Sequence, residues 1–400
     1  MTFIIILLLC TLCCLAQNLT INIFHVGQAD SQLLIFPSGY TVLIDLGENR
    51  DDFEPTNAKY VTKRLTELVP TKTIDVLVLT HIHLDHFGYP ANQTGLWYFI
   101  EKSGFKVKKY VGRNIGTYDG NDISKCNKDT INWKYVGEYE QYNVDWICYA
   151  HTQQSQSYIN NIRELADICS TSQIHPPDNN SSIQIVMADA FTVKKQDGNL
   201  VANDWHDTKD APSENDYSIS LRIQYGEFVY FTGGDLDGSQ DFAWGNEISN
   251  AEEKIEKIVG AVDVYRVNHH GDYHSSSKSF LEEMKPTASI ISCGDHNRYG
   301  LPHQQAMDRL SLYSKTVYLT EDCNSNITNM FDNVHIMNED VIITIPFGTD
   351  YYEIHDPIRN YAKVFKIKQN KEAPKDCYSL FDNGTSLVFL GLCLLLLLSI

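Results

Sequence analysis

Apolar residues along the first quarter of the chain follow two different periods. Strict alternation and short continuous apolar runs predict β-strands, and two of these runs flank a Pro-Ser-Gly turn that is typical of a hairpin. Apolar residues at helical spacing in 57–68 predict a helix, which Pro70 ends. The strands predicted in this quarter are 19–26, 32–36, 40–46 and 74–79.

The second half of the chain repeats this alternation of strands and helices. Two similar halves of this kind predict sheets packed face to face. Helices are predicted at 247–259 and from the serines at 275–277 to Met284. The strands predicted in this half are 182–187, 218–225, 228–232, 262–267 and 288–292.

The segment 97–177 has weak periodicity and is rich in Tyr, Asn and Gln. We interpret it as an insertion with at least one helix, 158–169. Beyond Tyr351 the pattern predicts a further short strand or helix before a polar linker.

A cluster of metal-ligand residue types follows the buried strand predicted at 74–79. The sequence there is Thr-His-Ile-His-Leu-Asp-His-Phe-Gly, from Thr80 to Gly88. Because a strand alternates its side chains, His81 and His83 can converge on one point while Asp85 and His86 turn toward a second. Imidazole and carboxylate ligands suit two zinc ions, with manganese or iron as alternatives, and two adjacent ions activate water for hydrolysis.

This stretch resembles the His-x-His-x-Asp-His signature of the metallo-β-lactamase-like hydrolase superfamily. Other segments resemble one branch of it, the hydrolase domain attached to the bacterial DNA-uptake protein ComEC. The resemblance implies an α/β domain over 17–370 with a four-layer αββα sandwich and a site at one edge of both sheets. The supporting segments, in the family's order, are 24–30, 43–47, 231–235, 268–271 and 294–303.

The resemblance also implies a set of metal ligands. His81 and His83 hold one ion, Asp85 and His86 the other, and a bridging hydroxide is the nucleophile. Asp235 lies between the ions, because a carboxylate can bridge two cations whereas an imidazole cannot.

Several positions around this set remain open. Either His269 or His270 completes the second ion, and the other faces substrate. Asp237 is close enough in sequence to Asp235 to be the alternative carboxylate between the two ions. His151 is an alternative third histidine for the first ion.

The resemblance places further residues around the ligands. Asp45 supports a ligand histidine through a hydrogen bond, with a simple turn aspartate as the alternative. Arg298 forks onto a phosphate or carboxylate, with a structural turn as the alternative. Ala29 stands where the family has a second glycine. The supporting or substrate-facing residues are Asp30, Asp45, Asn297, Arg298 and His303.

The formal net charge is −19 at pH 7. This charge repels polyanions at long range, so nucleic acid is a disfavoured partner and a small phosphoester is the expected substrate. Acidity also keeps a secreted protein soluble.

Both ends of the chain are apolar and uncharged. The run at 3–15 has the length of a signal peptide, with cleavage expected after Ala16; no Lys or Arg precedes it, and a retained anchor is the alternative. The tail 387–400 behind a linker at 371–386 favours a glycosylphosphatidylinositol (GPI) signal over a single-pass membrane anchor. These features predict the secretory pathway and a location outside the cell or on its surface.

Cysteine usage agrees with export. An even number of cysteines lies between the two apolar ends, and disulfides are the default for such cysteines in an oxidising compartment. The cysteines are Cys126, Cys148, Cys169, Cys293, Cys323 and Cys377, and glycosylation sequons occur at Asn18, Asn92, Asn179, Asn180, Asn326 and Asn383.

These features together predict a di-metal hydrolase that acts on phosphodiester bonds. A phosphorylcholine esterase-like hydrolase is the first alternative. A non-catalytic surface binding protein that retains the fold is the second. β-Lactam hydrolysis is not favoured, because the chain resembles that subgroup only at the metal ligands.

Overall fold

The computed structural model describes residues 18–49, 53–137, 140–151, 162–196, 199–204, 212–243, 246–356 and 359–369. The predicted signal peptide, the linker and the C-terminal tail lie outside these residues. Within them, no helix is both long enough and apolar enough to cross a bilayer.

A nine-stranded mixed sheet is built from the first half of the chain and its C-terminal strands. Its members are β1 (Asn18–Ile23), β2 (Gln32–Ile35), β3 (Thr41–Ile44), β4 (Thr73–Leu79), β5 (Lys106–Gly112), β8 (Arg163–Leu165), β20 (Val341–Pro346), β21 (Tyr351–Asp356) and β22 (Tyr361–Lys366). The strand order is β22-β21-β20-β1-β2-β3-β4-β5-β8. β3, β4, β5 and β8 run parallel, whereas the other neighbours are antiparallel.

A seven-stranded mixed sheet comes from the second half. Its members are β9 (Ser181–Met187), β12 (Ser220–Tyr225), β13 (Phe228–Thr232), β16 (Val264–Arg266), β17 (Ala288–Ile291), β18 (Thr316–Leu319) and β19 (Val334–Ile336), in the order β19-β18-β17-β16-β13-β12-β9. Three small hairpins pair β6 (Gly116–Thr117) with β7 (Asn132–Trp133), β10 (Phe191–Gln196) with β11 (Asn199–Asp204), and β14 (Asp241–Ala243) with β15 (Asn246–Ile248).

The α-helices flank these sheets. They are α1 (Thr56–Leu68), α2 (Leu84–Phe87), α3 (Gly95–Lys102), α4 (Gln141–Ala150), α5 (Ala251–Val259), α6 (Lys278–Met284), α7 (Gln304–Tyr313) and α8 (Ser325–Thr328). Short 3₁₀ turns lie at Pro90–Asn92, Ile123–Lys125, Asn215–Tyr217 and Asn268–Gly271.

Three hydrophobic clusters define the layers. One fills the space between the sheets and joins residues such as Ile21 of β1 to Ile223 of β12. The second packs α1, α3 and α4 on the outer face of the nine-stranded sheet. The third packs α5, α6 and α7 on the outer face of the seven-stranded sheet. The predicted four-layer αββα sandwich is therefore confirmed.

Most predicted elements are present, with two differences. The described part of the helix predicted at 158–169 is wrong, because Arg163–Leu165 is β8, which pairs in parallel with β5. The helix predicted from 247 begins only at Ala251, since the Asn250 side chain accepts a hydrogen bond from the Glu253 N–H (3.1 Å) and caps it there.

The segment 97–177 does not lie apart from the layers. Its first part completes α3 and forms β5 of the large sheet, and its later part contributes α4 to the outer helical layer. Among the described residues, one disulfide joins Cys126 to Cys148 and a second joins Cys293 to Cys323.

The loops that carry the predicted site all follow the C-terminal ends of strands. Asp45 follows β3, the His-x-His-x-Asp-His stretch follows β4, and Asp235 follows β13. The two neighbouring histidines follow β16, and the segment 294–303 follows β17. These ends meet at one edge of the sandwich, where the site lies.

Candidate metal centre

Four of the predicted ligands converge on one point. Ligand atoms of Asp85, His86, Asp235 and His270 all lie within 4.8 Å of one another. His86 Nε2 is 3.2 Å from Asp235 Oδ1. His270 Nε2 is 3.4 Å from Asp85 Oδ2 and 3.6 Å from Asp235 Oδ2.

The polar atoms at this point are buried and unpaired. Among the described residues, His86 Nε2, His270 Nε2 and Asp235 Oδ1 have no hydrogen-bond partner. Such orphaned atoms are costly in a folded protein unless something binds them. Two atoms bound to one divalent ion at about 2.1 Å lie roughly 3.0 to 3.4 Å apart, and the observed spacings are close to that range. The residues present therefore fit a divalent metal ion.

His81 and His83 form a second group beside the first. His81 Nε2 is 3.1 Å from His83 Nδ1 and 3.9 Å from Asp235 Oδ2. Asp235 thus faces His86 with one oxygen, and His81 and His270 with the other. Asp235 therefore lies between the two groups of ligand residues.

Asp45 and Thr80 set the tautomers of two histidines. Asp45 Oδ2 lies 2.8 Å from His86 Nδ1 and also accepts the Thr80 hydroxyl hydrogen at 2.7 Å. Because that hydrogen is used, His81 Nδ1 donates to the Thr80 oxygen at 3.1 Å. Both Nε2 atoms are left with lone pairs; that of His86 faces Asp235, and that of His81 lies between His83 and Asp235.

The backbone at residues 269–270 separates the roles of the two adjacent histidines. Both residues adopt left-handed conformations, with φ of 49° and 50°, which is unusual outside glycine. His270 donates from Nδ1 to the Ser292 carbonyl (2.7 Å) and turns Nε2 toward Asp85. His269 instead places Nδ1 2.9 Å from Asp237 Oδ1. Asp237 therefore lies with His269 and not between the two groups of ligands.

The buried carboxylate of Glu252 stabilises the turn at residues 268–271 through hydrogen bonds. Glu252 accepts hydrogen bonds from the Asn268 side chain (2.9 Å) and from the Ser276 and Ser277 N–H groups (2.7 and 2.6 Å). Burial raises the pKa of Glu252 to about 7 against the opposing effect of these hydrogen bonds.

Close backbone contacts hold the ligand loops together. A Cβ on Gly47 would lie 1.7 Å from the Asp85 carbonyl oxygen, so only glycine fits there. The same carbonyl accepts the Asp30 N–H at 2.8 Å. In the neighbouring loop the left-handed residue is Gly27 (φ 63°), so Ala29 does not have to adopt that conformation.

Arg266 is a site residue that the sequence analysis missed. It is fully buried, donates from Nη1 to the Gly234 carbonyl (2.8 Å), and places Nη2 3.1 Å from Asp30 Oδ2. Its Nη1 is also 3.7 Å from Asp235 Oδ1. The available signal was an arginine inside an otherwise apolar strand, since a buried charge needs a partner.

Glu214 is a second residue that the sequence analysis missed. Its Oε1 accepts the N–H of Ile82 (2.9 Å), the residue between the two histidines of the motif. The same oxygen accepts the Arg113 Nε hydrogen at 2.7 Å, and Arg113 also contacts the other carboxylate oxygen. Both side chains are buried. No spacing in the sequence links these positions, because 101 residues separate them.

The remaining predicted residues have separate positions. Asn297 braces its loop by donating to the Gly294 and Leu301 carbonyls, at 2.9 and 2.8 Å. Arg298 is exposed at the cavity, with its guanidinium carbon 5.4 Å from the centroid of the Tyr299 ring.

His303 and His151 do not join the ligand cluster. His303 Nδ1 lies 3.3 Å from Asp272 Oδ2. His151 Nε2 lies 2.9 Å from the Gly120 carbonyl oxygen.

A cavity of about 790 Å³ opens above the ligands. Burial raises the pKa of Asp85, but the nearby imidazoles of His270 and His86 outweigh it and hold the pKa at about 2. Burial and the neighbouring imidazoles hold the pKa of His81 well below its ordinary value. An ionised carboxylate and a neutral imidazole are the forms that bind metal. Lining side chains include His83, Asp85, Asp235, His269, His270 and Arg298.

Two bacterial proteins are similar to this chain in sequence. The ComE operon protein 3 of Bacillus subtilis is 32% identical over 124 residues, which are 31% of this chain and 15% of that protein. Recombination protein 2 of Haemophilus influenzae is 35% identical over 88 residues, which are 21% of this chain and 11% of that protein. The similarity supports a relationship to the ComEC branch over about a third of this chain and a small part of either relative. No protein-family model matches the chain.

Two solved structures give distant matches. A protein classed as a metal-dependent hydrolase from Parabacteroides distasonis aligns with a TM-score of 0.32 and 12% identity, covering 78% of this chain and 91% of that one. Unliganded yeast PDE1 aligns with a TM-score of 0.31 and 12% identity, covering 75% and 87%. Likeness of this degree does not define an activity.

Proposed function

We propose that this protein is a secreted or cell-surface hydrolase that uses divalent metal ions to cleave phosphodiester bonds. The observation that carries the proposal is the convergence of unpaired, buried ligand atoms from His86, Asp235 and His270, the last two of which line the cavity. His81 and His83 provide a second group of ligands at the same carboxylate. Zinc suits these nitrogen and oxygen ligands, with manganese and iron as alternatives.

Divalent ions held there would supply water activation and stabilisation of developing negative charge. The chain's own residues perform the remaining work. Asp45 and Thr80 fix the ligand imidazoles in one tautomer. Arg298 reaches the cavity from the opposite loop and binds a non-reacting phosphate oxygen.

The size and charge of the cavity favour a small substrate. Its volume of about 790 Å³ matches a small-molecule site. Carboxylates of Asp85, Asp235, Asp237 and Asp272 line it, and the whole chain has a net charge of −19. Long nucleic acids are therefore repelled, and added salt should assist any reaction with DNA by screening that repulsion.

A phosphorylcholine ester is the second candidate substrate. The aromatic rings of Tyr142 and Tyr299 line the cavity together with the carboxylate of Glu140. Aromatic faces and a nearby carboxylate attract a quaternary ammonium group. The proposed phosphodiester chemistry is compatible with either substrate, because a phosphorylcholine ester also contains a phosphodiester bond.

Hydrolysis of bis(4-nitrophenyl) phosphate near neutral pH tests the proposal. We expect turnover by the metal-loaded protein, loss of turnover after chelation, and its return when zinc or manganese is restored. A parallel assay with 4-nitrophenyl phosphorylcholine separates the two substrate candidates. A fully metallated protein that cleaves neither ester would instead favour a non-catalytic surface binding protein.

Arg298 offers a test of substrate binding apart from chemistry. Arg298→Ala should raise KM about tenfold while lowering kcat much less, because the guanidinium holds the phosphate in both the ground state and the transition state. Arg298→Lys is the matched variant and should recover part of the affinity through its charge. Steady-state kinetics with the aryl phosphodiester measure both constants, and an equal fall of kcat and kcat/KM with unchanged KM would contradict this role.

The proposed location rests on the two apolar ends of the sequence. The mature chain should begin near Gln17, and a phosphatidylinositol-specific phospholipase should release it from membranes. Mass spectrometry of the released protein gives both termini. Retention on the membrane with Leu390 still present would favour a spanning tail.

A further inference from the structure

A second cluster of ligand residues lies on the wall of the same cavity. Ligand atoms of Asp237, His269 and Asp272 lie within 4.8 Å of one another, and all three residues line the cavity. His269 Nδ1 is 2.9 Å from Asp237 Oδ1, a separation that two ligands of one ion can also have. The proposed two-ion centre uses none of these three residues.

Unpaired buried oxygens occur at the same wall. Asp237 is only 1% exposed, yet its Oδ2 has no hydrogen-bond partner in the part of the chain that the structure describes. Asn215 is 8% exposed and lines the cavity, and its Oδ1 is likewise unpaired within that part of the chain. The Asn215 carboxamide lies beside the cluster, with Nδ2 3.3 Å from His269 Nε2. Buried unpaired oxygens at a cavity wall are atoms that a bound cation would satisfy.

Asp272 is held in a fixed position by its neighbours. Its Oδ1 accepts the His274 N–H at 2.8 Å and lies 3.0 Å from His274 Nδ1, and its Oδ2 lies 3.3 Å from His303 Nδ1. Both lone pairs of Oδ1 thus face His274, whereas His303 Nδ1 already accepts the Tyr273 N–H (3.1 Å), so Oδ2 keeps lone pairs that can bind a cation.

We propose that Asp237, His269 and Asp272 bind a third divalent cation, with the Asn215 carboxamide beside it. One imidazole and mainly oxygen ligands favour manganese or zinc. The cation would neutralise two carboxylates that otherwise repel an anionic phosphoester from the cavity. This inference rests on the proposed function in one respect, which is that the third ion lies in the same cavity as the two proposed catalytic ions.

Metal counting with manganese tests this proposal. The full-length protein is stripped with chelator and titrated with Mn²⁺, and electron paramagnetic resonance measures the unbound ion. We expect three equivalents bound by the wild type and two by Asp272→Asn. Asp241→Asn is the matched control, because Asp241 lies 3.2 Å from His274 but is outside the cluster, and it should still bind three.

The outcomes separate this inference from the proposed function. Two equivalents in both the wild type and Asp272→Asn would overturn the third site and leave the two-ion centre standing. No bound metal in the wild type would overturn both proposals. If Asp272→Asn does not fold, His269→Gln allows the same measurement, and unchanged stoichiometry in that variant would also contradict the third site.

Discussion

Replacing Asp85 with alanine should lower kcat for an aryl phosphodiester by a factor of about 100 or more. Asp85 faces His270 Nε2 at 3.4 Å and is one of four residues whose ligand atoms converge on one point, the proposed position of the second ion. Weaker binding of that ion removes stabilisation of developing charge, which is typically worth roughly 3 kcal/mol. Saturating-substrate kinetics measure the effect, with metal content determined on the same samples.

The control for this variant is Asp129→Ala. Asp129 is exposed in the segment between β6 and β7. Its removal should leave kcat and metal content unchanged. An Asp85→Ala protein that retained half of the wild-type kcat would contradict the assigned role of this carboxylate.

Replacing Glu214 with alanine should lower the free energy of unfolding by about 3 to 5 kcal/mol. Among the described residues, the substitution leaves the buried Arg113 guanidinium with one carboxylate neighbour, Asp189 at 3.5 Å, and leaves the Ile82 N–H without its acceptor. Because Ile82 lies between His81 and His83, metal affinity at that pair should fall as well. Urea denaturation measures the stability, and metal titration measures the affinity.

A partly exposed ion pair gives the matched control. Glu164 lies 3.1 Å from the Lys109 ammonium, and both side chains are accessible to solvent. Glu164→Ala should therefore lower stability by less than about 1 kcal/mol. Equal losses in the two variants would show that the buried pair does not anchor the metal loop.

Elements of the fold were predictable where a single short segment of the chain carries the apolar pattern that defines them. The burial of the last four residues of β4 and the hairpin of β12 and β13 are both apparent from the chain's apolar pattern. β8 was not predictable in this way, because three residues carry no period and their pairing depends on β5, about 50 residues earlier. The predicted start of α5 was too early. The apolar pattern begins before the helix does, and the Asn250 side chain caps the helix immediately before Ala251.

The candidate site also has a part that was predictable from local sequence and a part that was not. His81, His83, Asp85 and His86 stand in one short stretch, so their grouping follows from a single loop. The roles of His269 and His270 required the structure, since the left-handed turn decides which ring faces Asp85.

Arg266 and Glu214 act through partners far away in the sequence. Arg266 pairs with Asp30 across 236 positions, and Glu214 reaches the Ile82 N–H across 132. Such long-range pairs support the ligands but leave no local pattern.

The metal content of the wild-type protein tests the central claim most directly. The protein should be purified without exposure to chelator, and elemental analysis should quantify zinc, manganese and iron per chain. We predict at least two divalent ions per chain in the wild type and fewer in His270→Ala, which loses a buried ligand atom that faces Asp85 and Asp235. A folded wild-type protein that contains no transition metal would contradict this account.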